Sequence, residues 1–193
     1  MSLWDLPAAY SIGGVVYPIH ADYRDILNII KHLEEPGIPE WLRWRTAVAL
    51  FYEGQIPDEH AREAMEKLAE FLAYEKTRDK PGPKLLDWEQ DSAAIVAGVN
   101  KVSGKEIRSL PFLHWWTFLS WFHGIGQGQV SALVSIRDKL RRGKKLEPWE
   151  QTYYHRNKAR VKMQKNYSAE ELVAMGATNA TVTSTDGYAH VVT

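Results

Sequence analysis

The sequence predicts a mainly α-helical single domain with a small N-terminal β-hairpin and a flexible C-terminal arm. Three observations predict it. Apolar residues recur at three- and four-residue spacing through most of positions 1–166. Prolines and cap-forming residues open these periodic stretches, and glycines close most of them. Only one stretch near the start reads as strand. About six or seven helices fit this pattern. Residues 1–166 are expected to form the helical domain, and residues 167–193 a short helix and a flexible tail.

The strand signal is "YSIGGVVYPI", Tyr10 to Ile19, two β-prone runs around Gly13-Gly14. Two glycines accept the positive φ angles of a tight hairpin turn. The next unit opens at Asp22, a helix cap, with Asp25 in the first turn near the positive end of the helix dipole. Ile26, Ile29, Ile30 and Leu33 give it an apolar face, and Pro36-Gly37 stops it. A second helix starts at Pro39 and runs through "EWLRWRTAVALFYE". A third opens at Pro57, with Ala61, Met65, Leu68 and Leu72 on its apolar face and acids over the rest. "KTRDKPGPK", Lys76 to Lys84, is a loop.

Asp87 and Gln90 have the spacing of a capping box. Trp88, Ile95, Val99 and Val102 share a face of the helix that follows. Ser109 is expected to cap the next helix, "LPFLHWWTFLSWFHG", which Gly124 ends. Val130, Leu133, Val134 and Leu140 mark a further helix ending near Gly143. Pro148 opens another that runs to about Asn166. Ser168 and Glu171 form a last capping box before Gly176. "ATNATVTSTDGYAHVVT" then changes character. It reads as a free tail, or as an arm that adds a strand to a neighbouring chain.

Composition removes several function classes. Acidic and basic residues both number 24, so no global field draws the protein to nucleic acid or anionic lipid. The chain has no cysteine, which excludes disulfides and thiolate metal sites and suits a reducing cytosol. "MSLWDLPAAYSIGG" does not read as a signal peptide. The aromatic stretch is too short for a membrane span, is interrupted by Pro111, His114 and His123, and carries its tryptophans at mid-length rather than at two interfaces.

Catalytic patterns are missing too. "GIGQGQ" has the glycines of a phosphate loop but neither the following Lys-Ser/Thr nor a preceding strand. None of the seven histidines lies three to five residues from another, so no helical pair of imidazole ligands exists. No GxSxG elbow occurs. Asp87, Glu89 and Asp91 could hold magnesium through oxygen. Their place in a helix first turn, where negative charge meets the dipole, explains them better. The expectation is a protein that is not an enzyme, with no catalytic residue, metal or cofactor.

Two stretches suit binding. From Ile136 to Lys165 the chain is strongly basic, with Arg137, Lys139, Arg141, Arg142, Lys144, Lys145, Arg156, Lys158, Arg160, Lys162 and Lys165 set among Trp149, Tyr153 and Tyr154. Cations and rings together can hold a nucleic acid. The same face can instead balance the acidic helix from Asp58 to Glu75, within one copy or between copies stacked head to tail. Protein partners rank above nucleic acid here, because the whole chain is neutral. The other stretch is the aromatic helix. Wound at about 100° per residue, it places Phe112, Trp115, Trp116, Leu119 and Phe122 on one broad face with Phe118 at its flank. Trp121 falls opposite. A helix apolar nearly all round belongs in a core. The expected core residues are therefore Phe112, Trp115, Trp116, Phe118, Leu119 and Phe122, with Trp121 left as an anchor for a partner.

Four segments together carry a family resemblance: "VVYPIHADYRDIL", "IPDEHAREAMEKLAEFL", "LLDWEQDSAAIVAGV" and "LPFLHWWTFLSWFHGI". In order and spacing they resemble the bacteriophage gene-product-fifteen family, from tailed phages of Gram-positive bacteria. "LHWWTF", Leu113 to Phe118, is the most specific piece, and the likeness runs from about Val15 to Lys165. The resemblance implies a tail assembly chaperone, bound to the tape-measure protein in the cytoplasm of the bacterial host and absent from the mature virion. It implies no catalytic residues. The partners expected are the tape-measure protein, other tail assembly proteins and a second copy of the chain. Trp41, Trp44, Arg45, Trp121 and the C-terminal arm are the candidates for client contact. Arg141, Arg142, Lys144, Lys145, Arg156 and Arg160 are the candidates for contact between copies.

Overall fold

The computed structural model describes residues 4–74 and 82–164. Strands β1 (Ala9–Ile12) and β2 (Val15–Pro18) pair antiparallel in the register Ile12 with Val15 and Ala9 with Pro18. Gly13 and Gly14 turn the corner with φ of 57° and 82°, the two positive angles that a two-residue hairpin needs. The hairpin rests on the helices through Tyr10, whose ring meets Phe51 and Phe71. Its turn is pinned where Glu63 accepts the Gly13 N–H at 2.9 Å.

Helix α1 (Tyr23–Leu33) starts as expected: Asp22 caps it by accepting the Arg24 N–H, and Ile26 and Ile29 are buried. Helix α2 (Glu40–Phe51) begins one residue after Pro39 and packs on α1. The helix expected to open at Pro57 opens instead as a 3-10 turn, Asp58–His60, before α3 (Ala61–Ala73). Helix α4 (Ser92–Ser103) ends on Gly104 in the left-handed region. Its start departs from a capping box. Asp87 accepts the N–H groups of Glu89 and Gln90 in a turn ahead of the helix. The Gln90 side chain leaves that turn and reaches the far end of the chain. Val102, expected on the core face, is exposed.

The aromatic helix is shorter than its sequence suggests. Helix α5 runs Trp115–His123, and His114, not Ser109, is its cap. Pro111 explains the difference. The residue before a proline is driven out of the helical region, and Leu110 sits at φ −72°, ψ 135°. Ser109 closes a separate 3-10 turn, Ile107–Ser109. Phe112 therefore lies outside the helix, ahead of its cap, and is 57% exposed, so its assignment to the core is corrected. Trp115, Phe118 and Leu119 are buried, whereas Trp116 and Phe122 are half-buried against the core. Phe118, placed at the flank by the helical wheel, stands at the centre. It stacks on Tyr23 at 4.9 Å and on Trp115 at 5.5 Å.

Helix α6 (Gln129–Arg141) ends before Gly143, at φ 64°. The helix expected from Pro148 to about Asn166 is broken: α7 covers Pro148–Arg156 and α8 Lys158–Val161. Asn157 makes the break at φ −130°, ψ 34°, and its side-chain amide donates to the Tyr153 carbonyl. The count is thus eight α-helices among the described residues. Leu140, predicted on the apolar face of α6, is exposed. The charged loop at 76–81, the last short helix and the C-terminal arm lie outside the described residues.

Candidate functional site

The basic segment begins inside the protein. Arg137 and Asp91 are 3% and 0% exposed, and their side chains meet in a two-point ion pair at 2.5 and 2.9 Å. The remaining guanidinium donors go to the carbonyls of Leu85, Arg160 and Val161. All five N–H donors of Arg137 are thereby used, which is what makes a buried arginine tolerable. Arg137 joins α6, the start of α4 and the end of α8, and it is unavailable to any partner.

The three acids weighed as a magnesium site are drawn apart. Asp91 faces Arg137, Asp87 faces Lys84 at 3.1 Å, and Glu89 faces Lys31 at 2.7 Å. Burial pushes the Asp87 carboxyl up, but the Gln90 amide and Lys84 outweigh it and hold it below its ordinary value. Among the described residues no group of three acids and histidines is placed to hold a metal ion. None of their helices is long and apolar enough to cross a membrane.

Three other polar side chains are buried in structural roles. Glu150 ties α7 to α6 by accepting from Ser135 at 3.0 Å, Lys139 at 2.7 Å and the Glu147 N–H at 2.8 Å. Burial raises its pKa, and those donors overcome the effect and lower it. Asp22 accepts from Arg24 and from the Leu113 N–H, so it positions the start of α5 as well as capping α1. His114 accepts the Trp116 N–H on Nδ1 and places Nε2 3.1 Å from the Pro7 carbonyl. The neutral ring with its proton on Nε2 satisfies both contacts. Burial lowers the His114 pKa, and the Pro7 carbonyl partly opposes it.

What remains is surface. Between α2 and α3 lies an open groove of about 470 Å³, with Val48, Ile56, Ala61 and Met65 along it. Trp41 and Arg45, singled out from the sequence, stand on its wall, and Trp41 is 64% exposed. Trp44 does not join them. It turns inward, half-buried against the core. Trp121, expected outermost on α5, also packs against the core. The groove was hidden in the sequence because its two walls come from different helices. A weak signal lay in Met65 and Ala61, which belong to the apolar face of α3 yet line a surface cleft.

The cations of the basic segment divide. Arg141 and Arg142 share Asp138 at 3.0 and 2.9 Å, and Arg160 donates to Gln129 at 3.2 Å. Lys144, Lys145, Arg156, Lys158 and Lys162 make no ion pair among the described residues. Trp149, one of the rings interleaved with these cations in the sequence, is 55% exposed. Residues 4–74 hold twelve acids against six Lys and Arg, a formal −6, while residues 138–162 hold nine Lys and Arg against three acids, a formal +6. The neutral chain is strongly polarised along its length.

The described residues thus form a mainly helical domain with an N-terminal hairpin, an open groove, an exposed indole and separated charge. The chain belongs to the Bacteriophage Gp15 protein family, whose model matches residues 3–163. This is a family of phage proteins, and its description names no catalytic activity. No curated protein and no solved structure gives a significant match to the chain.

Proposed function

We propose that this protein is a non-enzymatic tail assembly chaperone. It holds the tape-measure protein in the host cytoplasm during tail morphogenesis and is absent from the mature virion. The observation that carries this reading is the apolar groove between α2 and α3 with Trp41 on its wall. A long helical client presents an apolar stripe at every turn, and a groove of this kind takes such a stripe. Many copies holding one client give strong retention from weak contacts that release one at a time. Membership of a phage family supports the setting.

The test is co-expression with the tape-measure protein of the same phage. A soluble complex is expected from the wild-type chain. Trp41→Ala combined with Met65→Glu should lower the client recovered by about tenfold or more, the effect of losing an interface anchor, while the purified variant keeps its helical circular dichroism. An aggregated client with no complex would overturn the reading.

A second reading has one observation in its favour, the cations Lys144, Lys145, Arg156, Lys158 and Lys162, which make no ion pair among the described residues. These could hold nucleic acid phosphates, although Arg137, Arg141 and Arg142 are already engaged. Binding of this kind falls steeply as salt rises and needs no tape-measure protein.

A further inference from the structure

We infer that one copy of this chain docks on another by seating Trp149 in the α2/α3 groove of its neighbour. One surface offers an exposed ring and excess positive charge, the other a mostly apolar groove within the part of the chain that carries excess negative charge. Trp149 is a large exposed ring in the first turn of α7, between Pro148, which opens that helix, and the buried Glu150. Lys144 and Lys145 precede it by five and four residues, in the segment that carries the excess of positive charge. The groove is mostly apolar, with Arg45, Gln55 and Asp58 as its polar lining, so its negative charge comes from Asp58 and the acids around it and is offset in part by Arg45. Its chain neighbours Glu40, Glu53 and Glu59 are exposed, within the half of the molecule that carries the excess of negative charge. At about 470 Å³ it lies within the range of roughly 300–1,000 Å³ that takes a small-molecule ligand. An indole enters with room to spare and buries roughly 150–250 Å².

The geometry makes the contact head to tail. Helix α7 packs on α6 and α8, whereas the groove lies between α2 and α3. Donor and acceptor are different surfaces, so each copy offers one of each and the assembly grows as an open chain or closes as a ring. Opposed charge steers the approach and disfavours the parallel pairing of like faces. The groove is the one assigned above to the client, but the inference does not depend on that client, and its assay contains only this chain.

The experiment is sedimentation of the purified full chain over a concentration series at low and high salt. The wild-type chain is expected to associate, more weakly at high salt because the steering charges are exposed. Trp149→Ala, which removes the anchor, and Ala49→Trp, which fills the groove from an exposed position of α2, should each raise the dissociation constant by at least about tenfold. Mixing the two variants is the decisive arm. One retains only the groove and the other only the anchor, so the mixture should form a dimer and stop there. Lys144→Glu with Lys145→Glu should weaken association, and a partner copy bearing Asp58→Lys with Glu59→Lys should restore it. A wild-type chain that stays monomeric throughout overturns the inference. So does association that survives Trp149→Ala, or a mixture of the two variants that remains monomeric. A neighbouring copy and the client would take the same groove in turn, and because this assay contains no tape-measure protein its failure leaves the co-expression test of the client reading standing.

Discussion

Arg137 and Asp91 show what one buried pair costs and fixes. Two charges have left water, and each is tolerable only because the other is present. Arg137→Met should therefore destabilise the fold by about 3–5 kcal/mol, since it strands a buried carboxylate. Arg137→Lys should recover little, because an ammonium has three donors and cannot span Asp91, Leu85, Arg160 and Val161 together. Urea midpoints decide the matter: a variant within about 1 kcal/mol of wild type would remove the pair from its structural role. His114 makes a prediction in pH. Its folded pKa is lowered, so the unfolded chain takes up protons first as pH falls. Its contribution to stability is complete above the unfolded value of about 6.5 and declines as pH falls from there toward the lowered folded value. The melting temperature should drop between about pH 7 and pH 5.5 in wild type and stay flatter in His114→Asn, which keeps a cap but cannot titrate. The carboxyls of Asp22, Asp87 and Glu150 have lowered pKa values, so their stabilisation is lost only in a more acidic range and does not obscure this window. Equal pH slopes in the two proteins would dismiss the histidine as the cause.

At the scale of elements, the hairpin and the α7–α8 break are the informative parts. Gly13 has positive φ, and a Cβ there would run into the His60 ring. Gly13→Ala is expected to destabilise by about 1 kcal/mol or more from the strained backbone alone, with a further cost for moving His60. Gly14 has positive φ but open space around it, so Gly14→Asn should be nearly neutral, because asparagine tolerates that region. Thermal melts of the two variants should separate clearly. The break at Asn157 turns the chain so that the carbonyls of Arg160 and Val161 face Arg137. Gln90 then holds the same segment, donating to Arg160 and Lys162 and accepting from the Gln164 N–H. Gln90→Ala should speed amide hydrogen exchange at Gln164, whose N–H it accepts, and leave α1 and α2 unchanged. Unaltered exchange at Gln164 would show that Arg137 alone secures this end.

At the scale of the molecule, the buried apolar residues from the hairpin through α8 belong to one cluster, from Ile12 to Val161. A single core predicts a single cooperative transition, with tryptophan fluorescence and far-ultraviolet circular dichroism coinciding in urea. Two separated transitions would mean that the acidic N-terminal part and the basic C-terminal part fold apart.

Local rules determined much of this protein. Gly13-Gly14 specified the hairpin, Asp22 specified the start of α1, and the spacing of Ile26 and Ile29 specified its buried face, because each depends on neighbours a few residues away. Four segments, "LHWWTF" the most specific of them, carried the family resemblance, and the family model agrees over residues 3–163. Other features required the chain to meet itself. Phe112 was misassigned because a helical wheel drawn through Pro111 continues a helix that the proline has already displaced. Arg137 reads as one more surface cation until Asp91, 46 positions away, is brought beside it. The groove at Trp41 exists only where α2 and α3 lie together. Periodicity and caps act within a turn or two of chain and are written in the sequence. Which charge is buried, and which apolar side chain is left facing water, depends on contacts between distant segments, and only the tertiary structure decided those.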